Sequence, residues 1–173
     1  KIKLLRGNVD TRINKLKNKE YDAIILAYAG LKRLGLENQV TEILDHQAFL
    51  PAGGQGVVGI QSKKNTKFRE MFHKINNVKS EIANTSERSF LETINANCNS
   101  PVSVYAKIDN EKLCIQSQIY SHKGEMIFNE NISGETDDGK NIGKQLGEIA
   151  INQLGQDKIN ELDFFKDDFN YTP

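Results

Sequence analysis

Apolar and polar positions change period along this chain, and the changes divide it. Lys1–Leu5 reads as a strand running into Arg6-Gly7-Asn8. Val9, Ile13 and Leu16 then recur at spacings of four and three, one apolar helix stripe, with Asn8 placed to cap it and Asp10 favourable in the first turn. Tyr21–Ala27 is a short, nearly continuous apolar run, the mark of a strand buried on both faces. Strand, helix and strand in this order make a βαβ unit with a parallel pair. Leu31, Leu34 and Leu36 add a brief helical turn ended by Gly35. The breaker cluster Leu50-Pro-Ala-Gly-Gly-Gln-Gly56 precedes a strand at Val57–Gln61, and Phe68, Met71, Phe72 and Ile75 mark an amphipathic helix.

Beyond the polar pair Asn76-Asn77 the pattern changes. Ile82, Ser86, Phe90 and Ile94 repeat every four residues on a helix that stops at the polar loop 95–101. Strands are predicted at Val102–Ile108, Lys112–Tyr120 and Glu125–Ile132, joined by hairpin turns at Asp109-Asn110 and His122-Lys123-Gly124. Ile142, Leu146, Ile149, Ala150 and Leu154 form a last helix face. The fold class is therefore α/β followed by α+β, the second part reading αβββα with a three-stranded antiparallel sheet.

Composition narrows the classes of function. The 173 residues carry 23 basic and 23 acidic side chains, so a general nucleic-acid binder, which gains affinity by neutralising phosphates, is not expected. The longest apolar run, Ala23–Ala29, is far short of the roughly 20 residues that span a bilayer. With two cysteines and no visible secretory signal, a cytoplasmic location is expected. The chain opens on Lys1 inside strand-like sequence and both methionines are internal, so it reads as the back part of something longer. Its charge is uneven: residues 1–19 hold seven Lys or Arg against Asp10 alone, and residues 156–173 hold five acids against two lysines.

Arg6 and Arg12 are the first candidates for chemistry. Arg6 leaves a strand and Arg12 lies in the first turns of the next helix, the crevice where open α/β folds bind ligands. Two guanidiniums there suit a carboxylate or phosphate, although two surface arginines would give the same pattern. The Gly53–Gly56 cluster either lets backbone approach an anion or is a simple turn, and no Gly-Lys-Ser/Thr follows to make a P-loop. Cys98 sits in a polar Asn/Ser/Pro loop, as reactive thiols do, while Cys114 between Leu113 and Ile115 reads as buried. No Cys-x-x-Cys occurs and His46, His73 and His122 are scattered in polar settings, so no metal site is expected and the histidines read as surface residues.

Six blocks resemble the porphobilinogen deaminase (hydroxymethylbilane synthase) family in its own order: Leu5-Arg-Gly-Asn-Val-Asp-Thr-Arg12, Glu20–Ala27, Ala29–Leu36, Leu50–Gly56, Ser86-Glu-Arg88 with Phe90-Leu91, and Cys98-Asn-Ser-Pro101 with Tyr105-Ala106. The resemblance implies an enzyme of haem and tetrapyrrole biosynthesis. Two α/β domains like those of periplasmic binding proteins enclose a cleft, and a smaller α+β domain carries a cofactor cysteine. That cysteine holds a dipyrromethane primer by a thioether. Four porphobilinogen units are joined to the primer with loss of ammonia, and hydroxymethylbilane is released.

By position, Cys98 is the anchor, Arg6 and Arg12 bind carboxylates of the cofactor and substrate pyrroles, and Gln55 and the backbone around Ala27 line the same cleft. Porphobilinogen and its oligopyrrole intermediates are the implied partners, the expected state is monomeric, and the family's catalytic aspartate lies upstream, so no catalytic residue is assigned in this chain. On this reading residues 1–52 are the remainder of the second α/β domain, 53–75 the return into the first, and 76–173 the cofactor-attachment domain. The isolated 173 residues are expected to be inactive. Departures from the family are Ala96 and Asn97 where glycines are usual, Asn99 and Ser100 in place of the commoner residues before Pro101, and Gly53 where a small aliphatic residue is usual. The alternative reading is a non-catalytic truncated remnant or a small anion-binding module using Arg6 and Arg12.

Overall fold

The computed structural model describes residues 2–46, 48–97 and 99–162, which fall into two compact units divided between Asp45 and His46. In the first unit, α1 (Val9–Lys17) starts at Asn8, whose Oδ1 accepts from Thr11 N at 2.9 Å and so satisfies one of the helix's orphan donors. α2 (Tyr28–Arg33) ends in a Schellman arrangement. Leu36 N donates to Leu31 O at 2.9 Å across Gly35, which adopts φ +65°. Ile13 and Leu31 are the buried apolar side chains of this unit.

The expected strands are not formed here. Residues 2–5 and 21–27, and 57–61 in the second unit, carry no ladder among the described residues. The expected parallel pair is therefore absent. The physical reason is that a strand exists only through a partner's N–H and C=O groups, and the apolar run that marks it cannot supply them. Ile2, Leu4, Ile25, Val57, Val58 and Ile60 on these segments are all exposed.

From α4 to α5 the second unit follows the order its pattern predicts. α3 (Arg69–Lys74) is short and leaves Phe68, Met71 and Ile75 exposed. α4 (Val78–Thr93) is capped by Asn77 Oδ1 on Ser80 N. β1 (Val102–Asp109), β2 (Lys112–Tyr120) and β3 (Met126–Glu135) form an antiparallel sheet in the order β1-β2-β3. The first hairpin loop is Asn110-Glu111, one residue later than expected, with φ +47° and +64°; both values are positive, as a two-residue turn matching the strand twist requires. α5 (Gly139–Leu154) follows, and Gly155 at φ +82° separates it from α6 (Gln156–Asn160), a helix the apolar pattern did not predict.

One face of the sheet packs under α4 and α5 around Phe90, Ile94, Val104, Leu113, Ile115, Ile119, Phe128 and Leu146, all buried. The two helices meet through Gly139, Gly143 and Gly147, four residues apart on α5, where no Cβ holds the backbones apart. Cys114 is half-buried rather than buried. Alternation along β2 puts it opposite Lys107 and Ser133, on the face turned away from the core residues Leu113 and Ile115. No helix among the described residues is long and apolar enough to cross a membrane.

Candidate functional site

In the first unit, basic side chains gather on one loop. Arg12, half-buried, donates from Nε to Gly7 O at 2.7 Å, and Lys15 Nζ donates to Arg6 O at 3.4 Å. Both therefore reach back from α1 to the loop that carries Arg6, itself exposed. Gly7 adopts φ +119°, and a Cβ there would lie 2.8 Å from Thr11 Cγ2, so this tight entry is glycine-dependent. The result is three cationic side chains at the N-terminal, positive end of a nine-residue helix, a setting for carboxylates. Ala27 is exposed at the start of α2, and its carbonyl accepts from Gly30 N and Leu31 N at 3.0 and 3.4 Å.

In the second unit, Gln55 is exposed at the tip of a turn closed by Gln55 N on Ala52 O and Val57 N on Gly54 O, each 3.1 Å. This turn is docked on the free edge of β1. Val104 N donates to Pro51 O at 3.0 Å, and Glu87 of α4 accepts from Gly54 N at 2.7 Å and from Ala106 N at 2.8 Å. Glu87 is 6% exposed. Burial pushes its carboxyl above the ordinary value, and the two amides pull it back. Gly53 fits the same docking, since a Cβ there would lie 2.7 Å from Leu91 Cδ1 and 2.8 Å from Val104 Cγ1.

Sequence reasoning used Glu87 only as a motif letter. The signal was available: Ala83, Glu87, Phe90 and Ile94 share one helix stripe, and an acid inside an apolar stripe demands donors.

Cys98 lies outside the described residues. The loop on either side of it is ordered by its own side chains. Asn97 Oδ1 accepts from Asn99 N at 2.8 Å, and Ser100 Oγ accepts from Asn97 N at 3.0 Å. Among the described residues of this loop, Asn95 is left-handed at φ +52° while Ala96 and Asn97 stay out of that region, so neither of these positions demands glycine on conformational grounds. A cavity of about 160 Å³ lies beside this loop, lined by Ile94, Ala96, Ser100, Ile159 and Leu162 among others. The sequence candidates thus fall in both units: Arg6, Arg12 and Ala27 in the first, Gln55 in the second. His46, His73 and His122 are exposed, and the His46 ring packs tilted against Tyr105, with centroids 5.0 Å apart and planes at 51°.

Residues 1–70 match the family model for the dipyromethane cofactor binding domain of porphobilinogen deaminase, and residues 82–152 match the model for its C-terminal domain. The chain is 39% identical over 151 residues to a porphobilinogen deaminase of Clostridium acetobutylicum, covering 87% of this chain and 51% of that protein. It is 41% identical over 166 residues to that of a Geobacillus strain and 38% identical over 164 residues to that of Staphylococcus carnosus, in both cases 93% of this chain and 53% of the relative. The chain spans about half the length of the curated relatives it matches.

Proposed function

Because this chain belongs to the porphobilinogen deaminase family, we propose that it supplies the primer anchor and part of the carboxylate cradle of an enzyme of tetrapyrrole biosynthesis. The observation that carries this reading is the cationic entry to α1, where Arg12 and Lys15 are fastened to the loop of Arg6. Each pyrrole of porphobilinogen or dipyrromethane carries two carboxylates, and guanidiniums bind such groups as paired hydrogen-bond forks. Fixing Arg12 through Nε restricts the side chain before any ligand arrives, which lowers the entropy lost on binding. The donor set therefore fits an oligopyrrole, and the match of residues 1–70 to the cofactor-binding model supports the same assignment.

In this reading Cys98 holds the dipyrromethane through a thioether, a bond that suits a soft thiolate meeting a carbon electrophile. When bound, the cofactor supplies the pyrrole end to which porphobilinogen units are joined. Arg6 and Arg12 hold carboxylates of cofactor and substrate, while Gln55 and the backbone at Ala27 line the cleft. Turnover needs the portion of the family that this chain does not match, including the aspartate the resemblance puts upstream, so bilane formation by the 173 residues alone would overturn this part.

Residues 1–52 and 53–75 belong, on the same reading, to two α/β domains of the periplasmic-binding type, and 76–173 to the cofactor-attachment domain. The distribution of apolar surface supports that division. Among the described residues every exposed large apolar side chain except Met126 lies at or before Val78, so the first part offers surface for further polypeptide to cover. The sheet part encloses its own core.

The test is the intact mass of the protein from cells that make porphobilinogen. A mass excess of two pyrrole units is expected, absent in Cys98→Ser and reduced in Arg12→Ala. An excess that survives Cys98→Ser would refute the anchor.

A further inference from the structure

The chemistry of the Gly53–Gly56 turn depends on a group that lies outside it. Gln55 is at the tip, and among the described residues no side-chain hydrogen bond of its own holds the turn; the anchors are Pro51 O on Val104 N and the Glu87 carboxylate on Gly54 N. We propose that Glu87 is a positioning residue, its carboxylate clipping the glycine turn to the outer edge of β1 and so fixing where Gln55 is presented.

Three features carry the proposal. Both ligands of the carboxylate are backbone N–H donors, Gly54 at 2.7 Å and Ala106 at 2.8 Å, one on each oxygen. A carboxylate has acceptors on both sides, whereas an amide turns a donor toward one of the two N–H groups. The glutamate is therefore specific to this geometry in a way that a merely polar residue is not. Second, β1 is an edge strand, and its outward N–H groups at Val104 and Ala106 are both taken by this clip, so turn and sheet edge are satisfied together. Third, the approach is close. The absence of a side chain at Gly53 lets the turn lie against Leu91 and Val104, and Gly54 adopts φ +74°. A side chain at Gly53 would have to displace Leu91 or Val104, and one at Gly54 would be strained by its positive φ.

The functional meaning rests on the reading of Gln55 as a lining residue of the oligopyrrole cleft. Held from the cofactor-attachment side, the turn places a carboxamide by way of the helix that also leads into the loop of Cys98, since Glu87 and Thr93 belong to the same α4.

The test is amide NMR on the full chain. In the wild type, the Gly54 and Ala106 resonances should titrate together with a single carboxylate, and both amides should exchange slowly. In Glu87→Gln, at least one of them should exchange about tenfold faster or more, and Gln55 N should follow when Gly54 is the one released. Amides of the β2–β3 ladder report whether the variant is folded. If it is not, the shared titration in the wild type decides without any substitution. Unchanged protection of Gly54 and Ala106 in a folded variant, or separate titrations, would overturn the proposal. Adding porphobilinogen separates the two readings. Faster exchange at Gly54 in the variant, with no porphobilinogen-induced shift at Gln55 in the wild type, supports the clip and refutes the binding role of Gln55.

Discussion

Among the glycines, a Cβ added at Gly143 would meet the nearest neighbouring atom, and that atom is backbone, so Gly143→Ala should be the most costly of the glycine-to-alanine changes. A Cβ built there falls inside the van der Waals envelope of Ser86 O, with Ser86 C at 2.9 Å and Ser86 Cα at 3.1 Å. All three atoms are backbone in the middle of α4, so no rotamer change relieves the clash. A carbon and a carbonyl oxygen settle no closer than about 3.3 Å, so α5 must retreat from α4 by roughly 1 Å or more. A radial gap of that size forfeits on the order of a quarter to a half of the dispersion well for each contact it opens, and the contacts between Phe90, Ile142 and Leu146 lie beside this crossing. Overpacking of this kind costs about 1–3 kcal/mol, and a backbone obstacle belongs at the top of that range. Alanine returns about 1 kcal/mol of helix propensity. The net loss is about 2 kcal/mol, a fall of about 1 M in the urea midpoint followed by far-UV circular dichroism. Two other positions on the same stripe grade the effect. At Gly147 the nearest atoms are Thr93 Cβ and Cγ2 at 2.6 and 2.7 Å, and at Gly139 nothing lies closer than 3.2 Å. The expected order of loss is Gly143→Ala, then Gly147→Ala, then Gly139→Ala. A Gly143→Ala protein as stable as wild type, or less affected than Gly139→Ala, would refute the argument from backbone contact.

Ser86 Oγ is fully buried and has no hydrogen-bond partner among the described residues, so Ser86→Ala should raise stability by about 1 kcal/mol in the same denaturation assay. Glu111 occupies the second left-handed position of the β1–β2 turn, where a side chain costs about 1–2 kcal/mol. Allowing for the entropy of glycine, Glu111→Gly should gain about 0.5–1 kcal/mol, and a loss would show that the hairpin relaxes around the glutamate at no cost. The raised carboxyl of Glu87 means that the native chain holds this proton more tightly than the unfolded chain. Its contribution to stability is therefore fully present below the ordinary value of 4.5 and lost as pH rises through the raised native value, and Glu87→Gln should flatten that part of the stability profile.

How far the sequence could be read depended on whether an element carries its own partner. Helix α4 was legible because Ile82, Ser86, Phe90 and Ile94 all face α5 or the sheet within the same stretch of chain. The three strands were legible because hairpins bring each strand its neighbour, leaving only end residues to shift: β3 is Met126–Glu135 where Glu125–Ile132 was expected. The glycine stripe on α5 was not legible as packing. In sequence, glycine counts only against a helix, and its value appears once a second backbone lies against it. Helix α6 was missed because five residues with a single buried side chain, Ile159, hold no period. Arg6, Arg12 and Cys98 were legible from their local setting as well as from family-like blocks, Ala27 and Gln55 from the blocks alone, and the local geometry adds what neither could contain, namely the tie of Arg12 to Gly7 O and the hold of Glu87 on the turn of Gln55. Residues 2–5, 21–27 and 57–61 mark the opposite limit. Their apolar residues suggested strands, but a strand needs a hydrogen-bonding edge as well, and no pattern within a strand names its neighbour.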